Sequence, residues 1–485
     1  MKQIIYFFGL FLYFFCNQSW SQQPSEATIR LLERNKMFEP KLIEVAENVY
    51  AAVGYQVSTN GFIIGEDGII VIDPGQTISG AQNFNIVLRE LTDKPIKAII
   101  YTHGHPDHFN AASIFYSEGV EVWARDNFGS ETELVRLNGY QGGVRSSNTQ
   151  GFDLPIEQRI GVGIGIPPTN RPGMGLMSDG VITNNVDGVN PNNLVSQAPA
   201  RMIQPNNIFS TDRQSIEIAG VYLELVKAPG ETDDHLYVWY PKEKVIFTGD
   251  NFYQSWPNTY PLRGTARRSV RDWVDSLSSM VEEKPEVVVP GHTSPMQNAT
   301  EVLTNYRDAL KWVLDKTIEG AKSKLTPDEL IKYTELPDHL AHLDYLQDYY
   351  GSRWGTVRDI YAQDLGWFDG NVLSLYRQNP IQKAQQLADL LGGIEPLSGK
   401  VYEALNSDNF LIAAELADAW SKLEPENYKP WLALAQALSV IAERTLNAPA
   451  RNYTQSSANQ ARIKGEEIRL LRNDLSLPED ITLGD

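Results

Sequence analysis

The sequence predicts a layered α/β half followed by an all-helical half, and three observations carry that expectation. Between about Val45 and Pro295, short apolar runs alternate with Gly, Pro, Asn and Asp, as strands bounded by turns do. After about Thr300 the apolar residues recur at helical spacing with few strand signals. Inside the first of these regions stands one side-chain cluster, His103-Gly104-His105-Pro106-Asp107-His108, directly after the apolar stretch Ile96 to Tyr101. It places three of the chain's seven histidines and a carboxylate within six residues, a density of metal-ligand chemistry that chance seldom gives.

The N-terminus reads as an export signal. Lys2 precedes an apolar core from Ile4 to Phe15, and Ser19 and Ser21 bracket Trp20 as small residues before a cut. Residues 1–21 are therefore expected to be removed, with the mature chain starting near Gln22 in the periplasm or outside the cell. The competing reading, a membrane anchor, needs a longer apolar run than this one. Cys16 is the only cysteine and lies inside the signal, so the mature chain has no thiol, which excludes a disulfide and a cysteine nucleophile. A formal net charge of −19 repels phosphate backbones and argues against nucleic acid as a partner. With 485 residues and 42% hydrophobic content, the chain holds enough apolar side chains for two packed domains, here drawn as residues 22–300 and 301–485.

In the first half the strand-like runs are Gly61 to Ile64, Ile69 to Ile72, Ile96 to Tyr101, Val120 to Ala124, Val221 to Val226, Leu236 to Tyr240, Val245 to Thr248 and Val287 to Val289. Helical patterns at Gly80 to Leu91 and Ser269 to Glu282 fall between some of them, so sheets covered by helices are expected. The segment Gly161 to Ala198, rich in Gly, Pro and Asn, is too long for a plain connection and reads as a large loop over the site. In the second half, Leu303 to Ser323, Thr326 to Tyr333, Leu336 to Gln347 and Trp354 to Leu365 read as helices. Thr326-Pro327-Asp328-Glu329 is a strong helix start, with a capping hydroxyl, Pro in the first turn and acids against the dipole. Ile381 to Leu391, Ser398 to Leu405, Asn409 to Leu423 and Lys429 to Leu446 follow as consecutive antiparallel helices in the manner of tetratricopeptide pairs.

Three further ligand candidates stand just beyond a strand-like run. Glu231 follows Ala228-Pro229-Gly230, Asp250 follows Gly249, and His292 follows Pro290-Gly291. Loops leaving one edge of a layered α/β fold converge, so these residues are expected to join the histidine run. The set divides into His103, His105 and Glu231 on one metal, Asp107, His108 and His292 on another, and Asp250 between them. Imidazole and carboxylate donors suit zinc.

With Ile72-Asp73-Pro74-Gly75, the HGHPDH run, Phe247-Thr248-Gly249-Asp250 and Pro290-Gly291-His292 in this order, residues of about 45 to 295 resemble the metallo-β-lactamase fold. The resemblance implies an αββα sandwich with two Zn2+ between its sheets, and Asp73 bracing the histidine loop. Glu231, where most hydrolases of this fold place His, is the habit of the alkyl sulfatase branch; His235 is the alternative ligand. Tyr260-Pro261-Leu262-Arg263-Gly264 is similar to the segment whose arginine grips the sulfate in that branch. Tyr349-Tyr350-Gly351-Ser352, Gly366-Trp367-Phe368-Asp369-Gly370-Asn371 and Arg451-Asn452-Tyr453 resemble the dimerisation domain of alkyl sulfatases. Two departures stand out: well-known members carry Glu where this chain has Asp250, and Asp485 arrives without the family's sterol-carrier-like third domain. The second puts long-chain surfactant substrates in question.

The resemblance thus implies an exported, homodimeric zinc hydrolase that cleaves sulfate monoesters, of the alkyl sulfate kind, by a metal-bound hydroxide. Two zinc ions lower the pKa of a shared water and screen an incoming anion. Arg263 is the expected sulfate ligand because a planar guanidinium bonds two oxygens at once, with Arg267 and Arg268 as neighbours and Tyr350 as a hydroxyl donor. Asp107, Asp250 and Arg263 are the catalytic candidates. The rivals are a lactonase, β-lactamase or other ester hydrolase on the same fold, and a non-catalytic binding protein that keeps the scaffold.

Overall fold

The computed structural model describes residues 24–131, 202–262 and 268–472. The expected signal at 1–21 and the long loop at 161–198 lie outside the described residues. Thirteen described strands form two sheets. The first, in the order β1 to β7, contains β1 (Lys41–Ala46), β2 (Val49–Val53), β3 (Asn60–Ile64), β4 (Ile69–Ile72), β5 (Ile96–Ile100), β6 (Glu121–Arg125) and β7 (Asn207–Phe209). The second has the order β13-β12-β11-β10-β9-β8 and contains β8 (Arg213–Ile218), β9 (Val221–Lys227), β10 (Leu236–Tyr240), β11 (Val245–Gly249), β12 (Val287–Pro290) and β13 (Met296–Gln297).

The period of two in the strands builds the layers. On β10, Leu236, Val238 and Tyr240 enter the core between the sheets, while Tyr237 and Trp239 face outward to helices. On β4, Ile70 and Ile72 point inward and Ile69 and Val71 outward. Both faces of these strands are buried, which is why their sequences read as continuous apolar runs. Each fully buried Val, Leu or Ile contributes about 1.5–3 kcal/mol relative to exposure.

The helices numbered from the N-terminus are α1 (Glu26–Asn35), α2 (Ile78–Leu91), α3 (Pro106–Phe109), α4 (Val270–Glu282) and α5 (Ala299–Lys322). Helix α2 covers the outer face of the first sheet with Ala81, Phe84 and Leu88. Helices α4 and α5 cover the outer face of the second, through Trp273, Leu277 and Met280 and through Leu303, Tyr306 and Leu310. The result is the four-layer αββα sandwich. Its outer core runs on across residue 300 to Leu330, Val357 and Ile360. The texture change near Thr300 therefore marks a change of secondary structure inside one core.

The rest of the chain is helical: α6 (Pro327–Tyr333), α7 (Asp338–Ala341), α8 (Arg353–Ile360), α9 (Pro380–Leu391), α10 (Ile394–Asn406), α11 (Phe410–Leu423), α12 (Tyr428–Glu443) and α13 (Ala448–Leu471). Thr326 and Glu329 form the capping box that the sequence announces for α6. Helices α9 to α12 have a core of their own, built on Leu397, Val401, Ala417, Trp420 and Ala433. The helix expected over Leu336 to Gln347 is only α7 and a 3-10 turn at Asp344–Leu346. The Gln347 side chain folds back to donate to the carbonyls of Ala341 and Leu343 and ends the helix there. Helix α1, not expected from the sequence, latches onto the α12–α13 corner, where Ser25 N donates to Glu443 Oε1 at 3.0 Å and Arg451 Nη2 to Thr28 Oγ1 at 2.6 Å. Among the described residues no helix is long and apolar enough to cross a membrane.

The segment joining α7 to α8 brings Tyr350 toward the sandwich and is pinned by Asn447, whose amide donates to the carbonyls of Asp348, Tyr350 and Gly351. Burial pushes the Asp348 carboxyl up to about 6, with Arg353 N donating to it at 3.1 Å. An unfolded Asp ionises near 3.9, so the folded state binds more protons between that value and 6, and stability is lost as pH rises through this window. Asp348→Asn keeps the acceptor without the charge. Because the side chain retains some solvent, the substitution should stabilise by only about 1 kcal/mol at neutral pH and by nothing below about pH 4, read from denaturant unfolding at both pH values.

Candidate metal centre

Asp73 follows β4 and the histidine run follows β5, while Asp250 follows β11 and His292 follows β12. Both strand pairs are parallel, so each pair of loops leaves by the same edge of its sheet. Backbone bonds stitch the two edges together: Leu236 N donates to Thr102 O at 2.8 Å and Thr59 N to Gly291 O at 2.7 Å. Two glycines permit this approach. A Cβ on Gly291 would lie 2.0 Å from Asp250 Oδ1, and one on Gly249, whose φ is +51°, would lie 2.6 Å from Thr102 Oγ1.

The side chains converge in two groups, His103, His105 and Asp250 in one and Asp107, His108 and His292 in the other, with donor atoms in each within 4.8 Å of one another. Asp250 bridges the groups. Its Oδ2 lies 3.0 Å from His292 Nε2 and 3.8 Å from His103 Nε2, and its Oδ1 lies 3.2 Å from His108 Nε2. Glu231 borders the first group, with Oε1 at 3.8 Å from His105 Nδ1. Asp107 Oδ2 is 3.4 Å from His292 Nε2, and the Asp107 side chain keeps 20% of its surface exposed where its neighbours keep almost none. Among the described residues, Asp107 is therefore the most open donor of the centre.

Each histidine turns one nitrogen inward and anchors the other. His108 Nδ1 donates to Asp73 Oδ2 at 2.8 Å, and His292 Nδ1 to Val57 O at 2.9 Å. Thr102 Oγ1 donates to Asp73 Oδ2 at 2.7 Å and so accepts from His103 Nδ1 at 3.0 Å. His105 Nε2 is bonded to Glu131 Oε2 at 3.0 Å. Outer partners of this kind fix ring orientation and tautomer for metal ligation. The inner atoms fit a cation: His108 Nε2 and Asp250 Oδ1 are buried and face one another without hydrogen-bond alignment. Nitrogen and carboxylate donors without a thiol belong to a borderline divalent ion.

The electrostatics agree. Burial opposes a charge on His108, but Asp250, Asp107 and Asp73 outweigh it and hold its pKa well above the ordinary value. Burial also opposes ionisation of Asp250, yet His292 and His108 hold its carboxyl well below the usual range. Burial drives His235 down to about 3. The neutral ring accepts the Asp250 N–H at Nε2 over 3.1 Å and stacks on His103 at 4.7 Å between centroids. His235 thus orients Asp250 and stands outside both groups of converging donors.

Several supporting residues escaped the sequence reading. Glu131 is one. Asn251 is another: its Oδ1 accepts Glu231 N at 3.0 Å and its Nδ2 donates to Ala228 O at 2.6 Å, which fixes the Ala228-Pro229-Gly230 turn. Asp234 takes Gly129 N at 2.7 Å and the Gly104 N–H, and so ties the wall beside Glu131 to the histidine loop. The only sequence signal for these residues is that they adjoin a ligand or share its turn. Of the expected substrate groups, Arg263 and Arg267 lie outside the described residues. Arg268 is 1% exposed and faces Glu231 instead of solvent. Tyr350 packs edge-on against Tyr253 at 5.4 Å between centroids, and Tyr253 in turn lies 6.4 Å from the His292 ring.

Comparison with known proteins places this geometry. The chain matches the metallo-beta-lactamase superfamily over residues 54–129 and 154–292 and the family described as alkyl sulfatase dimerisation over residues 326–464. It is 29% identical over 398 residues to a linear primary-alkylsulfatase of Pseudomonas sp. (strain ATCC 19151), covering 81% of this chain and 72% of that protein. It is 23% identical over 420 residues to an alkyl/aryl-sulfatase of Saccharomyces cerevisiae, covering 85% of this chain, and spans only 62% of that relative's length. The solved structure of a stereoselective inverting sec-alkylsulfatase from Pseudomonas sp. superposes with a TM-score of 0.74 at 20% identity, over 91% of this chain and 69% of that one. That likeness establishes the fold.

Asp73→Asn tests the centre without disturbing the backbone, because Asn tolerates the left-handed conformation at this position. Metal affinity at the His108 position should fall about 10–100-fold. Metal per chain after graded dialysis against chelator reads the effect, and an unchanged circular-dichroism spectrum excludes unfolding.

Proposed function

We propose that this chain, a member of the metallo-β-lactamase-fold alkyl sulfatase family, hydrolyses sulfate monoesters at a two-metal centre. The observation that carries the reading is the convergence of four anchored imidazoles on Asp250, in a chain that matches both family segments. His103, His105 and Glu231 would hold one ion and Asp107, His108 and His292 the other, with Asp250 shared, and zinc suits these donors. Such ions, when bound, supply a water activated near neutral pH and positive charge facing an anionic ester.

The chain's own residues do the rest. Asp73, Val57, Thr102 and Glu131 hold the rings so that little reorganises during turnover. Among the described residues, the other donors of the centre are buried and Asp107 is the most exposed, which supports its side as that of substrate entry. An anionic ester approaching a chain of net charge −19 needs local cations, and Arg263 is the proposed sulfate ligand. Alkyl sulfates are the proposed class, from the names of the relatives. Sulfate release from primary, secondary and aryl sulfate esters is the direct test, with nitrocefin and lactones alongside. Release that falls at least about 10²-fold in Arg263→Ala is expected. Turnover of lactams or lactones alone, indifferent to Arg263, would overturn the reading, and ¹⁸O water would report which ester bond breaks.

A homodimer is proposed from the same family segment together with an exposed apolar run. Trp367, Phe368, Val372, Leu373 and Tyr376 lie between α8 and α9, with Trp367 77% and Tyr376 73% exposed. Surfaces of this kind mark interfaces. Light scattering after size exclusion should give twice the chain mass, and Leu373→Asp combined with Tyr376→Asp should give the monomer.

A further inference from the structure

Arg268 lies on the far side of Glu231 from the histidines. The two side chains are 1% and 2% exposed, and Arg268 Nη1 stands 2.6 Å from Glu231 Oε2. The same nitrogen donates to Asn258 O at 2.6 Å. The other carboxylate oxygen, Oε1, faces His105 Nδ1 at 3.8 Å. Asn251 holds the Glu231 N–H at 3.0 Å, and a Cβ on the preceding Gly230 would lie 2.3 Å from Asn251 Oδ1, so only glycine lets the two approach this closely. Glu231 is therefore fixed through its backbone and through one oxygen, and presents the other to the first group of donors.

We propose that Arg268 is a positioning residue for that first metal position. It pairs with Glu231 in the buried fold and holds Oε2, so that a metal would be met by Oε1. The inference rests on the reading of these donors as a metal centre. A buried carboxylate without a partner destabilises the fold. Removing one member of a buried pair leaves the other charge uncompensated, and a bound cation supplies that compensation in its place. Arg268 hence matters most to the metal-free protein. Both contacts run through the one nitrogen Nη1, so a lysine ammonium can restore the charge and the pairing in place of the guanidinium.

The test compares the full-length wild type with Arg268→Met and Arg268→Lys. Thermal unfolding is followed with metal bound and after chelation, and the visible d–d spectrum is recorded with cobalt(II) as the probe. The Met variant should lose more unfolding temperature when chelated than when loaded, and its cobalt bands should shift as Oε2 becomes free to ligate. The Lys variant should restore the bands and recover most of the chelated loss. An equal loss in both forms with unchanged cobalt bands would overturn the proposal and leave an ordinary buried ion pair. Should the Met variant fail to fold, Arg268→Gln takes its place: a gap between loaded and chelated unfolding wider than in the wild type and the Lys variant supports the role, and a gap identical to the wild type refutes it. A wild type that binds no cobalt would sink the metal reading itself, a result distinct from a wild type that binds it beside a variant that does not respond.

Discussion

The Asp73 carboxylate is the contact on which the rest of the centre depends. It takes Thr102 N at 2.8 Å, Thr102 Oγ1 at 2.7 Å and His108 Nδ1 at 2.8 Å. Through Thr102 it sets the ring of His103, and through His108 it meets the bridging Asp250. The position has a price in backbone strain, since its φ of +52° is left-handed and a non-glycine residue there loses about 1–2 kcal/mol. Such strain persists only where surroundings over-determine it. Here Asp73 N donates to Ile100 O at 3.0 Å and the Asn60 amide holds Asp73 O at 2.5 Å, so the end of β4 is locked to β3 and β5 before any ligand is placed.

Charge is distributed around this lock in a definite order. Asp73, Asp107, Glu131, Glu231 and Asp250 surround four imidazoles in a chain that is already strongly acidic. Anions so close together in a dry site repel unless cations separate them. Without metal, protons on the histidines play that part, as the raised His108 and His292 indicate. Arg268 plays it permanently at Glu231. That arginine stands in the segment where the sequence resemblance suggests substrate contacts, yet the fold commits it to a carboxylate of the centre.

Much of this was legible in the chain. Strand-like runs ending in Gly-Asp or Pro-Gly-His announce loops at one sheet edge, and the structure brings His103, His105, Asp107, His108, Asp250 and His292 together there. Strands β4, β10, β11 and β12 were readable because both faces are buried and the runs are unbroken. Strand β8, with exposed and buried residues alternating, and helix α13, rich in Ala, Ser, Gln and Asn, carry weaker patterns and were not read. Residues acting through other residues were the least legible. Nothing local in the sequence distinguishes Glu131 from any surface glutamate, or Asn251 from a turn asparagine, because their roles exist only once distant segments meet. Arg268 shows the reverse: its residue type stands out in the sequence and its partner does not, since burial and pairing are properties of the folded chain.

One feature of the architecture bears on how such a protein can change over generations. The outer face of the sheet that carries Asp250 and His292 is covered by Leu303, Tyr306, Leu310, Leu330 and Val357, all beyond residue 300. The metal-binding half is thus finished by chain that a shuffling event at that point would leave behind. A gene fusion or duplication that moved only the first three hundred codons would carry every donor of the centre and a sheet whose outer face keeps α4 but loses α5. Divergence in the helices beyond residue 300 is therefore constrained by the sheet they help to roof.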